Sequence, residues 1–284
     1  MPWHRYQMAE REGRPEQAAS AVANPWEFLR DYTTARIALG RAGSSLPTNR
    51  HLDFQLAHAR ARDAVQSELD MAALERDVAA LGRETIRLHS AAVDRATYLQ
   101  RPDLGRRLDE KSRRLLEQNK GAGGAAAFIV ADGLSALAVQ RHAPAMLAAI
   151  LSRLAPEEWQ IAPIALVEQG RVAISDEIGA LLGAEQAVIL IGERPGLSAP
   201  DSLGIYLTYG PKSGNTDADR NCISNIRAAG LNYPEAAHRL LHLMTAARRL
   251  SLSGVALKDD SDTLDQPGET PRLARNFLVD EDPT

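Results

Sequence analysis

Apolar positions along the chain follow two rhythms. From Trp26 to about Lys120 they recur at helical spacing: Ala61, Val65, Leu69 and Ala72 share one face, and Leu74, Val78 and Leu81 continue it. No strand pattern stands out before Gly121, so this region is predicted to be helical. At Gly121-Ala122-Gly123-Gly124, a small-residue hinge, the pattern changes, and short apolar runs begin to alternate with helical segments. Strands are predicted near Ala126–Ala131, Ile161–Val167, Ala187–Ile191 and Ile205–Tyr209, with helices near Leu134–Leu154, Ser175–Leu182, Asp217–Ala228 and Pro234–Leu250. Strands that are apolar on both faces suit a parallel sheet covered by helices on each side. The predicted fold class is therefore α/β: a helical N-terminal region followed by an open, mostly parallel sheet of four or five strands.

Four regions follow. Residues 1–24 mix Arg, Glu, Gln and Ala without an apolar face and read as a flexible arm; 25–120 are the helical region, 121–257 the sheet domain, and 258–284 an acidic flexible tail. Two loops interrupt the helices, Gly40 to Thr48 and Arg101-Pro102-Asp103-Leu104-Gly105-Arg106-Arg107, and both are read as concentrating arginine, over Arg36 to Arg50 and Arg101 to Arg107. Solvated surface and a partner-facing surface both remain open for these loops.

Composition narrows the function classes. With 284 residues, 44% apolar and 25% charged, the chain can bury a sizeable core, which excludes disorder over most of its length. Its apolar runs fall far short of a membrane span, and Met1 to Ser20 carries acids among its arginines, so neither a membrane span nor a secretory signal is expected. The net charge is −4, of which residues 258–284 alone contribute −5, leaving the body at about +1. A nucleic-acid-binding domain would need a basic body, so no nucleic-acid partner is expected. A single cysteine, Cys222, excludes an internal disulfide and a Cys-clustered zinc site, and points to a reducing cytosol.

Motifs for independent catalysis are sparse. The glycines at 121, 123 and 124 precede a strand, where a dinucleotide fingerprint would place them after it, and there is no phosphate-binding loop of the Walker type. His238 and His242 share a helical face but lack the Glu of a zincin and a third ligand, which favours a solvated face. Ligands of open α/β sheets bind beyond the carboxyl ends of the strands, and there Glu193 follows the run Ala187 to Gly192 directly. It reads either as a ligand contact or as a salt-bridge partner of Arg194 or another loop arginine. Asp132, at the end of the first predicted strand, reads best as the N-cap of the following helix. Cys222 sits in the polar opening of a predicted helix; with no nearby His to act as base, its chemistry alone indicates packing. An independent hydrolase using Cys222 or Asp132 finds no base and orienting partner.

Several strings nevertheless resemble one family: Ala35 to Gly43, Arg101 to Leu108, Ile191-Gly192-Glu193-Arg194-Pro195-Gly196-Leu197, and Ala218 to Ile226. In that order and register they resemble the small subunit of ethanolamine ammonia-lyase, over about Arg36 to Leu257. The resemblance implies a non-catalytic partner in an adenosylcobalamin-dependent enzyme that converts ethanolamine to acetaldehyde and ammonia. It implies a Rossmann-like domain facing cobalamin, with the corrinoid between it and a large subunit that carries the substrate site, in a hetero-oligomer with six of each subunit. The family's cobalamin contacts fall on Val172, Glu193 and Cys222. For Glu193 this favours the ligand contact, and for Cys222 it displaces the packing reading. There is no Asp-x-His-x-x-Gly, by which some proteins supply a histidine to cobalt, so the cofactor is expected to keep its own lower base. A stand-alone corrinoid-binding or interaction module is the alternative. The implied location is cytoplasmic; packing into a bacterial microcompartment stays open, because residues before Pro25 match nothing specific. The tail after Leu257 is a separate departure, longer than the resemblance requires.

Overall fold

The structure, a computed structural model, describes residues 21–119, 124–155 and 158–261. The glycine hinge at 121–123, most of the N-terminal arm and nearly all of the acidic tail thus lie outside the described residues. The chain forms two compact units, residues 1–62 with 196–198, and residues 63–195 with 199–284.

In the first unit a short 3-10 turn, Glu27–Asp31, precedes the start of helix α1 (Thr48–Gln66). The glycine and proline loop between them is tied back by paired backbone hydrogen bonds between Val22 and Arg41. Gly40 makes this possible: it has a φ of +75°, and a Cβ there would lie 2.6 Å from the Val22 carbonyl oxygen. Glu27 accepts from both Arg30 and Arg50.

The second unit is a six-stranded sheet with helices on both faces. Its strands are β1 (Thr85–His89), β2 (Ala126–Ala131), β3 (Ile164–Glu168), β4 (Gln186–Gly192), β5 (Leu203–Tyr209) and β6 (Arg220–Ile226), in the order β1-β3-β2-β4-β5-β6. The first four run parallel, whereas β5 and β6 pair antiparallel. The sheet is therefore mixed and larger than the four or five strands expected. No helix intervenes between β4 and β5, and a return without a crossover helix must run antiparallel.

One face packs against α2 (Met71–Ala79), α5 (Ala136–Leu151) and α7 (Tyr233–Leu250), where Phe128, Val130, Leu166 and Val188 meet Leu74, Met146, Leu147, Leu240 and Met244. The other packs against α4 (Glu110–Gln118) and α6 (Ile174–Leu182), where Ile129, Val167 and Ile189 meet Leu116, Ile178 and Leu182. Every residue of β2 and β4 is buried. Each large apolar side chain so buried contributes about 1.5–3 kcal/mol, which anchors the central strands and fixes where their carboxyl ends lie.

Three expectations need correction. A strand, β1, does exist before Gly121, with Ile86 and Leu88 pointing into the core and pairing with β3. The helical face through Ala61, Val65, Leu69 and Ala72 is broken: α1 ends at Gln66, and α2 restarts after Asp70, whose side chain accepts from Ala73 N and caps it. The helix expected over Asp217–Ala228 is only a 3-10 turn at Asp217–Asp219, followed by strand β6.

Candidate functional site

The carboxyl ends of β2, β3 and β4 open on one crevice in the second unit. Its volume is about 370 Å³, and its walls come from Tyr98, Gly133, Leu134, Arg171, Val172, Ile191, Gly192, Glu193, Arg194 and Tyr206. This is the position that an open α/β sheet offers to a ligand.

The turn after β2 supplies one wall. Gly133 has a φ of +57°, and a Cβ there would fall 2.2 Å from the Gly192 carbonyl oxygen. With no side chain in the way, Leu134 N donates to Gly192 O at 2.9 Å, drawing the start of α5 onto the end of β4. Ser135 caps that helix by accepting from Ala138 N. Asp132 is thus not the N-cap. It is buried, 3% exposed, accepts from Gly170 N at 3.1 Å and pairs with Arg95 at 3.3 Å. Burial pushes its carboxyl up to about 6, against the opposing pull of Arg95 and of backbone N–H groups.

Arg95 is on α3 (Arg95–Gln100) and ties this region together, donating also to Gly133 O, Gln169 Oε1 and Val65 O. Tyr98, one turn on, is fully buried, donates its hydroxyl to Gly170 O, and lies between two guanidiniums, Arg95 at 4.8 Å and Arg171 at 4.2 Å from its ring centre. Burial raises the phenol well above its ordinary value, so it stays protonated. Gly105 packs against both Tyr98 and Arg171 and accepts from Arg171 N. Part of the second arginine loop is therefore not solvated surface: Gly105 packs behind Tyr98 and Arg171, two residues of the crevice wall, without lining the crevice itself.

Glu193 leaves the end of β4 half-buried. Its carboxylate accepts from the Ser202 hydroxyl, from Ser224 Oγ at 2.6 Å and from Asn225 N at 3.3 Å. The salt bridge to a loop arginine that the sequence left open is not among its contacts in the described residues; neutral donors take that place. Two of those donations go to Oε2 and one to Oε1, so Oε1 retains acceptor capacity for one more donor.

Cys222 lies in β6, opposite Tyr206 in β5, and not near a helix N-terminus as expected. The residue is exposed to solvent, yet partial burial of its thiol pushes it up, with the neighbouring Tyr206 opposing that shift. The structure thus brings Val172 and Glu193 to one crevice, and Cys222 beside it through Tyr206, without making it a lining residue. Sequence reasoning missed Tyr98, Arg171 and Tyr206; only Arg171, next to Val172, had a local signal. Away from the crevice, His242 Nε2 pairs with Asp260 Oδ1 at 2.6 Å, and no group of side chains suited to a metal ion occurs among the described residues.

Comparison with known proteins gives this geometry a context. The sequence model of the family described as Ethanolamine ammonia-lyase light chain (EutC) matches residues 23–258. Similar proteins include the ethanolamine ammonia-lyase small subunit of Pseudomonas syringae pv. tomato, 56% identical over 96% of this chain and 98% of its own length. That of Azotobacter vinelandii is 59% identical over 92% and 97%, and that of Pseudomonas aeruginosa strain LESB58 is 57% identical over 93% and 97%. A family match over most of the chain, together with identities this high over almost the full length of the relatives, shows that the chain belongs to the ethanolamine ammonia-lyase small-subunit family.

Proposed function

We propose that this small subunit holds adenosylcobalamin against a large subunit that carries the substrate site for the conversion of ethanolamine to acetaldehyde and ammonia. The observation that carries the reading is the meeting of Val172 and Glu193 in one crevice at the strand ends. The residues present fit the group. A corrin rim bears neutral amide arms, which need donors, acceptors and apolar walls more than net charge. Glu193 Oε1 can accept from an amide N–H, Val172 offers a wall and its backbone, and Leu134 and Ile191 add apolar surface. Cys222 and Tyr206 extend this edge along β5 and β6. A corrinoid is far larger than the crevice, so this chain would grip one edge while the large subunit covers the rest.

When bound, the cofactor supplies the radical chemistry of the elimination. The part of this chain is positional. Arg95, Asp132 and Tyr98 fix the turn at Gly133 and the Gly170 backbone, while Ser202 and Ser224 orient the Glu193 carboxylate. The cofactor keeps its own lower base in this reading, since no Asp-x-His-x-x-Gly occurs in the sequence. The assembly is a hetero-oligomer with six of each subunit, placed in the cytoplasm. Among the described residues no helix is long and apolar enough to cross a membrane.

Co-expression with the large subunit tests the reading. Acetaldehyde should form only with both chains and adenosylcobalamin present. Glu193→Ala should raise the cofactor concentration needed for half-maximal rate about tenfold, the worth of one hydrogen bond to a charged group. Two folded proteins giving neither complex nor aldehyde would overturn it, and cobalamin binding by this chain alone would then identify a stand-alone corrinoid module.

A further inference from the structure

The first unit leaves its large apolar side chains in solvent. From residue 48 to residue 62, α1 has no buried residue, and Leu52, Phe54 and Leu56 are between 41% and 56% exposed. Leu52 and Leu56 lie one turn apart on one side of the helix, with Phe54 across from them. Trp26 and Phe28, with ring centres 6.0 Å apart, are exposed at the 3-10 turn before it. Glu27 between them accepts from Arg50 and so joins turn and helix. A helix draws most of its stability from packing an apolar face, and this stretch buries none. Apolar side chains gathered at a surface in this way mark a contact with another molecule.

Charge narrows what that molecule is. Residues 21–62 hold six arginines and three acids, a net of +3. Arg30, Arg36 and Arg50 line a cavity of about 360 Å³ together with Thr33 and Thr34. Arg30 and Arg50 share Glu27, whereas Arg36 forms no ion pair among the described residues. A guanidinium fork matches a carboxylate, so an acidic side chain set in an apolar surface suits this face. The family's sequence model spans residues 23–258: it takes in this surface and stops before residues 259–284. The occupant is accordingly a chain that members of the family have in common, and not this protein's own acidic tail.

We infer that residues 26–62 form a docking face for the large subunit, a second grip in addition to the crevice. The large subunit meets it with apolar side chains around a carboxylate that enters the cavity at Arg36. The inference rests on the large-subunit reading above and adds to it the segment by which this chain is held. Burial of Leu52, Leu56 and Trp26 in the complex supplies the grip, and the arginines set the orientation.

The test uses the full chain with the purified large subunit. Amides of residues 49–62 should exchange with solvent rapidly in the free chain and at least about tenfold more slowly in the complex. The double change Leu52→Asp with Leu56→Asp, at two exposed positions, should weaken association about thirtyfold or more in analytical ultracentrifugation. Arg36→Glu should weaken it about tenfold and reduce its dependence on salt. Val255→Asp, at an apolar position 82% exposed in the second unit, should leave it unchanged. Exchange of residues 49–62 that is the same in the complex, or wild-type affinity in the double variant, overturns the docking face. So does protection of these amides already present in the free chain. Its loss on dilution would assign the face to a second copy, and its loss on deletion of residues 262–284 would assign it to the tail. Wild-type chains that do not associate at all would overturn the large-subunit reading itself.

Discussion

Asp132 shows how one residue serves the site from below its surface. It touches no crevice space, yet through Gly170 N and Arg95 it sets the two turns that form the crevice wall. Its carboxyl is pushed up to about 6 by burial, whereas in the unfolded chain an aspartate titrates near about 3.9. Between those values the folded protein keeps a proton that the unfolded chain has lost, so stability falls as pH rises through this window. The contribution is fully present below about pH 4 and lost above about pH 6. Asp132→Asn cannot titrate, so lowering the pH from 7.5 to 5 should raise the urea midpoint of the wild type relative to that of the variant. Parallel shifts in both proteins would show that Asp132 ionises as an ordinary carboxylate. Neither its role nor that of the Glu193 partners was legible in the sequence. Arg95 lies 37 positions from Asp132, and Ser224 lies 31 from Glu193, so only the fold makes them neighbours.

Among the elements, β6 carries Cys222 and Ser224 to the site and depends on a buried ion pair to do so. Arg220, its first residue, donates to both oxygens of Asp176 in the first turn of α6, at 2.7 and 2.8 Å, with both side chains almost wholly buried. Burial raises the Asp176 carboxyl above its ordinary value even with that partner present. Asp176→Ala would leave a guanidinium buried without its carboxylate, costing about 3–5 kcal/mol, while the double change Asp176→Leu with Arg220→Met should recover most of the loss. Urea unfolding of the three variants decides it, and a single-variant cost below about 1 kcal/mol would show that water reaches the pair. The same strand explains why some elements were hidden. Its buried residues, Arg220, Ile223 and Ile226, recur every third position, which imitates a helix. The cause is a register irregularity opposite Leu203 and Ile205. β1 was missed because its two inward residues, Ile86 and Leu88, are too few to break the helical pattern around them. The central strands were legible because burial on both faces leaves continuous apolar runs.

At the scale of the molecule, the two units differ in what holds them. Both hydrophobic clusters lie wholly within residues 63–195 and 199–284. Between residues 21 and 62 the only buried residue is Pro47, while Trp26, Phe28, Leu52, Phe54 and Leu56 are between 41% and 59% exposed. Local hydrogen bonds and exposed ion pairs such as Glu27 with Arg30 and Arg50 stabilise such a segment weakly. The second unit also keeps its own link to the end of α1, since Ala64 is buried and Val65 O accepts from Arg95, both beyond Arg62. A chain starting at Asp63 should therefore fold. Near-ultraviolet circular dichroism should retain its tertiary signal, and heating should give a single cooperative transition, because the apolar area buried in the sheet unit is unchanged. Loss of the tertiary signal on truncation would mean that residues before Asp63 supply core contacts. Hydrogen exchange on the full chain offers an independent check. Amides of β2, β3 and β4 should exchange only with global unfolding, and those of residues 21–45 orders of magnitude faster, through local opening that leaves the sheet intact.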